Sequence, residues 1–194
     1  MSKRYEFQSQ MSVSRFFRNV IAVIRGMLYT VYFNTIRHRT IDVGKMLRVF
    51  KGVSFRFDYN SNVNIGNSVR VDDNCVLFAK SESEITISDC VGLGMNNIIM
   101  CHERIIIGSH TTIAPNVLIY DHDHTFDINA GVDFNNYESE EITIGKNCWI
   151  GANTVILKGS RIGDNCIIGA GSIIKGEIPS GSKVIQKRDN SLWR

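Results

Sequence analysis

Two aspartates and two histidines alternate at Asp121, His122, Asp123 and His124. A neutral imidazole, with an ordinary pKa near ~6.5, accepts a proton close to pH 7 and suits general-base work on a hydroxyl. A carboxylate or backbone carbonyl beside it holds the second ring nitrogen, so that the basic one faces the substrate. Asp121 and Asp123 are both candidates for that task. In an extended segment, alternation places Asp123 on the opposite side from His124. The same residues on a polar loop also describe ordinary solvated surface, so their position in the chain has to decide.

That position is unusual because the rest of the chain is so regular. Aliphatic residues recur every six positions at Ile65, Val71 and Leu77, then at Ile87, Leu93 and Ile99, then at Ile107, Ile113 and Ile119. They resume at Ile144, Ile150, Ile156, Ile162, Ile168 and Ile174. Four positions after each aliphatic residue, a small or β-branched side chain is expected to point inward. These are Val69, Cys75, Val91, Asn97, Thr111, Val117, Cys148, Thr154, Ser160, Cys166, Ser172 and Ile178. Gly follows the aliphatic residue in several "IG" pairs, where a corner tolerates Gly or Asn at positive φ. Neither a helical period nor a strand period of two produces a step of six. Three sixes per turn predict an all-β solenoid, a three-sided parallel β-helix of about five coils. Its one long interruption, about 120–140, carries the alternating His and Asp residues.

Of 194 residues, 43% are hydrophobic and 21% charged, the balance of a globular chain. The formal charge of +3 conceals an asymmetry: residues 1–51 hold ten Lys/Arg against Glu6 and Asp42. That segment attracts anionic partners and the remainder does not, and nothing points to nucleic acid. Five cysteines, an odd number without a CxxC pair, read as reduced thiols. The polar start "MSKRYEFQSQ" lacks the character of a secretory leader, and the apolar run of residues 26–36 is too short to span a bilayer. The expected location is cytoplasmic, with the inner face of the membrane as a peripheral option. The expected organisation is a basic helical region at 1–52, a β-helix at 53–185 with a protruding loop at 120–140, and a tail at 186–194.

The run "ITIGKNCWIGANTVILKGSRIGDNCIIGAGSIIKGEIP" resembles the hexapeptide-repeat, left-handed β-helix acyltransferases. The similarity covers about residues 63–185. It implies a left-handed helix, a homotrimer and active sites between subunits. It also implies acetyl-CoA as co-substrate and no metal. In that family a histidine follows seven residues after the Val of an "IGPNV"-like stretch; here "IAPNV" ends at Val117, so the resemblance selects His124 as catalytic base, with His122 in reserve. It further implies that the pantetheine arm follows the coil corners at Ala152 and Ala170, with Trp149 beside it. Lys175 and Lys187 would then face the nucleotide phosphates, as would Lys183 and Arg188, although the basic end "GSKVIQKRDNSLWR" departs from the family pattern. The gamma-class carbonic anhydrases share the β-helix and bind zinc through three histidines, and His102, His110, His122 and His124 offer nitrogens. That family separates its last two histidines by four residues, whereas here only Asp123 intervenes. Zinc is not expected.

The best match in organisation is the group of bacterial O-acetyltransferases that modify capsule, O-antigen or exopolysaccharide sugars. Two alternatives belong beside it: a non-catalytic β-helix scaffold or binding protein, and an antibiotic O-acetyltransferase of the same fold. The N-terminal segment reads as helical, with Phe16, Phe17, Val20, Val23, Ile24, Met27 and Leu28 in one apolar stripe among arginines. It suits capping of the open first coil, and it also suits an anionic membrane surface.

Overall fold

The computed structural model describes residues 13–37 and 39–186. A helix, α1 (Val13–Ile36), is followed by a parallel β-solenoid whose three walls run continuously from coil to coil. The first wall begins at Ile41–Val43, the second at Arg48–Val49 and the third at Ser54–Phe57. Every pairing along the walls is parallel and joins equivalent positions of successive coils; Ile105 lies between Ile85 and Ile142, and Ile99 between Leu77 and Ile119.

The step of six is the inside of this solenoid. All fifteen predicted aliphatic positions are buried, and so are all the predicted wall residues except Ile178, which is half-buried. Burying each Ile contributes about 2 kcal/mol, so the stack of near-identical rungs forms one continuous core. Polar wall residues find partners in their own or neighbouring coils, except that Asn97, whose Oδ1 accepts from the Val117 amide at 2.7 Å, leaves its Nδ2 without a partner among the described residues. Thr111 Oγ1 donates to the Gly145 carbonyl at 2.8 Å and accepts from the Cys148 amide at 3.0 Å.

There are more coils than the expected five. The first and second walls have seven strands each and the third has six, which makes six full coils and two sides of a seventh. The additional coil, residues 41–57, begins ahead of the expected boundary at residue 53. Its inward residues Val43, Val49 and Phe55 keep the step of six, but an aromatic replaces the third aliphatic. The reason is α1: Tyr29 and Phe33 pack their rings on Phe55, at centroid distances of 4.9 and 5.8 Å. At the other end Ile178 and Val184 begin the seventh turn.

The corners match the expectation for asparagine but not for the "IG" glycines. Among non-glycine residues positive φ falls most often on asparagine, and Asn74, Asn96, Asn116 and Asn153 form a ladder of amide hydrogen bonds at 3.0–3.3 Å. The "IG" glycines have ordinary φ. They are required by proximity instead, since a Cβ on Gly108 would lie 2.6 Å from the backbone of Gly145 in the next coil.

Helix α1 does cap the first coil, but through the face opposite to the predicted stripe. Ala22, Gly26 and Phe33 are its buried residues. A Cβ at Gly26 would run into the Leu47 carbonyl, so the helix backbone sits directly on the coil. Among the described residues no helix is long and apolar enough to cross a membrane.

Candidate active site

The third wall ends each coil with an inward residue: Ala79, then Cys101, then Asp121. A carboxylate therefore stands where the coils beneath bury a methyl or a thiol. The departing chain explains it. In the coil below, Lys80 donates its amide to the Cys101 carbonyl. The equivalent amide of His102 instead donates to Asp121 Oδ1 at 2.8 Å, and those of Glu103 and Arg104 donate to Oδ2 at 2.8 and 3.0 Å. Asp121 thus replaces backbone acceptors that are lost where the solenoid is interrupted.

The expected loop is a β-hairpin, His122–Asp127 against Gly131–Ser139, with an irregularity between His124 and Thr125. His122 opens it. Its Nδ1 lies 3.1 Å from Asp121 Oδ1, and its ring stacks on that of His102 at 3.4 Å between centroids and 6° between planes. Tyr137, from the returning strand, sets its edge against both rings, at 4.5 Å from His102 and 5.5 Å from His122. The Lys80 ammonium sits 4.6 Å from the Tyr137 ring centroid.

His124 lies on the same side of the strand but farther out. Its exposed ring is flanked by Tyr137 at 4.6 Å and Phe134 at 5.8 Å. Asp123 faces away from both imidazoles, as alternation requires, and its carboxylate is 3.3 Å from Lys158 Nζ. Lys158 also contacts Glu138 Oε2 at 3.0 Å, so one ammonium ties both hairpin strands to the next coil. These carboxylates raise its pKa, with the Glu138 hydrogen bond as the largest cause.

Charge follows from this packing. Burial opposes ionisation of Asp121, but hydrogen bonds from His122 and from the Glu103 and His102 amides hold its carboxyl below the usual range. Burial, then the neighbouring His122 and Lys80, push His102 down to about 4. At neutral pH the cluster therefore presents an ionised, inward carboxylate with an imidazole on its outer side. That arrangement fixes one ring nitrogen and leaves the other for proton transfer.

The family resemblance selects His124 with His122 in reserve, Asp121 and Asp123 stand as open candidates, His102 enters only as a zinc ligand, and Tyr137 and Lys80 are passed over. The signal for His102 was present: it stands one coil below His122, just as Cys101 stands below Asp121. Tyr137 is placed only by the hairpin register. His110, the fourth histidine considered for zinc, is at the corner between the first and second walls, away from this cluster. Among the described residues no three His, Cys, Asp or Glu side chains converge on a common point.

The residues expected along a cofactor groove divide between two corners. Trp149 is 57% exposed on the outside of the second wall, in register with Thr112 and Ile167. Ala152 and Ala170 occupy equivalent places where the second wall turns into the third, and the Gly171 amide donates to the Ala152 carbonyl at 2.8 Å. Lys175 follows the third wall, on the corner that carries Lys158 one coil earlier, and so does not join the alanine row. Lys187 and Arg188 lie outside the described residues.

The repeat has a known counterpart. Residues 141–176 match the family described as bacterial transferase hexapeptide (six repeats). That stretch forms the fifth and sixth coils of the solenoid. The chain is 29% identical over 122 residues to the dTDP-4-amino-4,6-dideoxy-D-glucose acyltransferase of Escherichia coli, a match covering 59% of this chain and 62% of that relative. It is also 29% identical over 153 residues to the putative lipopolysaccharide biosynthesis O-acetyl transferase WbbJ of E. coli K12, covering 70% of this chain and 75% of WbbJ. The hexapeptide-repeat fold is shared with AntD, an N-acyltransferase from Bacillus cereus solved with dTDP-4-amino-4,6-dideoxyglucose and coenzyme A. The TM-score is 0.66 at 23% identity, over 80% of this chain and 81% of AntD.

Proposed function

We propose that this chain transfers an acetyl group from acetyl-CoA to a sugar hydroxyl, in the building of a capsule, O-antigen or exopolysaccharide. The observation that carries the reading is the hairpin itself, which departs from a hexapeptide-repeat solenoid at one corner and holds two imidazoles there beside an ionised carboxylate. The names of the sugar acyltransferase and O-acetyl transferase relatives support the reaction class.

In this reaction an imidazole removes the acceptor's hydroxyl proton as the oxygen attacks the thioester carbonyl. The tetrahedral intermediate expels the CoA thiolate, which takes the proton back from the imidazolium, leaving an ester and free CoA. His124 is the proposed base: its ring is exposed, and it occupies the position that the family resemblance selects. Its open side would be closed by a neighbouring subunit of a trimer. The contact between Asp121 and His122 favours a second reading, in which His122 is the base and Asp121 stabilises the imidazolium. Trp149, Ala152 and Ala170 would line the pantetheine path.

Calorimetry with acetyl-CoA alone tests the co-substrate without any choice of sugar. Saturable binding near one site per chain supports the transferase; no binding up to millimolar concentration leaves a scaffold. A related AntD structure contains 3-hydroxybutyryl-CoA, so longer acyl-CoAs belong in the same titration. With an acceptor in hand, His124→Ala and His122→Ala separate the two readings. Loss of a base costs about 10²–10⁴-fold in kcat, and the variant that suffers it identifies the residue. The other variant keeps its turnover within a few fold of the parent.

A further inference from the structure

The outward face of α1 is the least expected surface of the molecule. The helix docks through Ala22, Gly26 and Phe33, with Tyr29 beside them, and turns its other large apolar side chains away from the protein. Phe17, Ile24, Leu28 and Val31 are 58%, 51%, 66% and 62% exposed. A groove of about 620 Å³ beside them, lined by Val20, Met27, Met46 and Arg48 among others, carries the apolar surface onto the first coil. A 24-residue helix is roughly 36 Å long, so this strip runs across the whole end of the solenoid.

Its charge is as one-sided as its hydropathy. The helix contains Arg15, Arg18 and Arg25 and no acidic residue. Arg37, Arg39, Lys45, Arg48 and Lys51 follow within the basic first 51 residues. Asp73 lies 3.5 Å from Arg18, whose guanidinium also sits 5.0 Å from the Phe50 ring centroid. An identical helix from a second copy would satisfy the apolar strip but would bring like charge against like. A bilayer containing anionic phospholipid satisfies both features: acyl chains for Phe17, Ile24 and Leu28, and headgroup phosphates for Arg25 and Arg48, which line the grooves beside the apolar strip.

We propose that α1 is an in-plane docking element, its outward apolar face seated at the headgroup boundary of an anionic phospholipid membrane. The inference is independent of the acyl-transfer reading. The histidine corner stands three coils from the docked end, roughly 14 Å at strand spacing, and so stays in water close to the surface.

The test is co-sedimentation of the full chain with vesicles of phosphatidylcholine alone, or of phosphatidylcholine with phosphatidylglycerol. Binding to the anionic vesicles, reduced by salt and at least ~10-fold weaker on neutral ones, is the expected result. Ile24→Asp should weaken it ~10-fold or more, with thermal midpoint unchanged because the side chain is already exposed. Equal binding by Ile24→Asp and parent overturns the proposal. So does failure of the parent to bind either vesicle. If light scattering then shows fewer chains per particle for Ile24→Asp, a second copy of this chain covers the face instead.

Discussion

Asp121 and His122 are adjacent in sequence yet belong to different environments, joined by a 3.1 Å contact between Oδ1 and Nδ1. Asp121 has no exposure at all and closes the end of a wall, whereas His122 begins the excursion into solvent. One carboxylate therefore serves the solenoid, through three backbone amides, and the candidate site, through one imidazole.

Removing that carboxylate should be felt in both places. Asp121→Ala leaves the His102, Glu103 and Arg104 amides without their acceptor, at a cost of about 3 kcal/mol in urea unfolding. Asp121→Asn, which preserves volume and one carbonyl oxygen, should cost less. A loss below ~0.5 kcal/mol in the alanine variant would show that these amides find other partners.

His102 makes stability depend on pH. Its folded pKa of about 4 lies below the ordinary 6.5, so the unfolded chain binds the extra proton between those values. The neutral ring's contribution is complete above pH 6.5 and is lost progressively as pH falls to about 4; it amounts at most to about 3 kcal/mol, less whatever solvent screens. Urea midpoints at pH 7 and pH 5 measure the slope. In His102→Phe, which keeps a ring against His122 but cannot titrate, the slope over this window should flatten.

Lys158 holds the hairpin more than it holds the fold. Its contacts to Asp123 and Glu138 involve exposed carboxylates, so Lys158→Ala should cost less than about 1 kcal/mol globally. Amide exchange in the hairpin, at Tyr137 and Glu138 especially, should accelerate while that of the walls stays put. Unchanged hairpin exchange would mean that the ring contacts of Tyr137 fasten it alone.

Two glycines separate proximity from composition. Gly108→Ala forces a methyl to 2.6 Å from Gly145 and should cost about 2–4 kcal/mol, through parting of adjacent coils. Gly92→Ala meets nothing within 4 Å and should be neutral or slightly stabilising. Thermal melts of the two variants side by side check this.

The sequence alone determined the solenoid, its inward residues and the site of its interruption. Each coil repeats one local rule, so a step of six written fifteen times leaves little for long-range structure to add. The rule became harder to see at Val43, Val49 and Phe55, because the third inward position there is shaped by Tyr29 and Phe33 of α1 and not by another rung. At the interruption the rule stops altogether. Which imidazole is oriented was decided by the register that turns Asp121 inward, by His102 one coil away and by Tyr137 on the returning strand. The face that α1 turns outward was likewise decided by the close fit of Gly26 on Leu47, which a plot of apolar residues around the helix does not contain. Apart from His102, which the repeat itself places one coil below His122, the deciding contacts join residues far apart in the chain, and no repeated neighbour pattern encodes them.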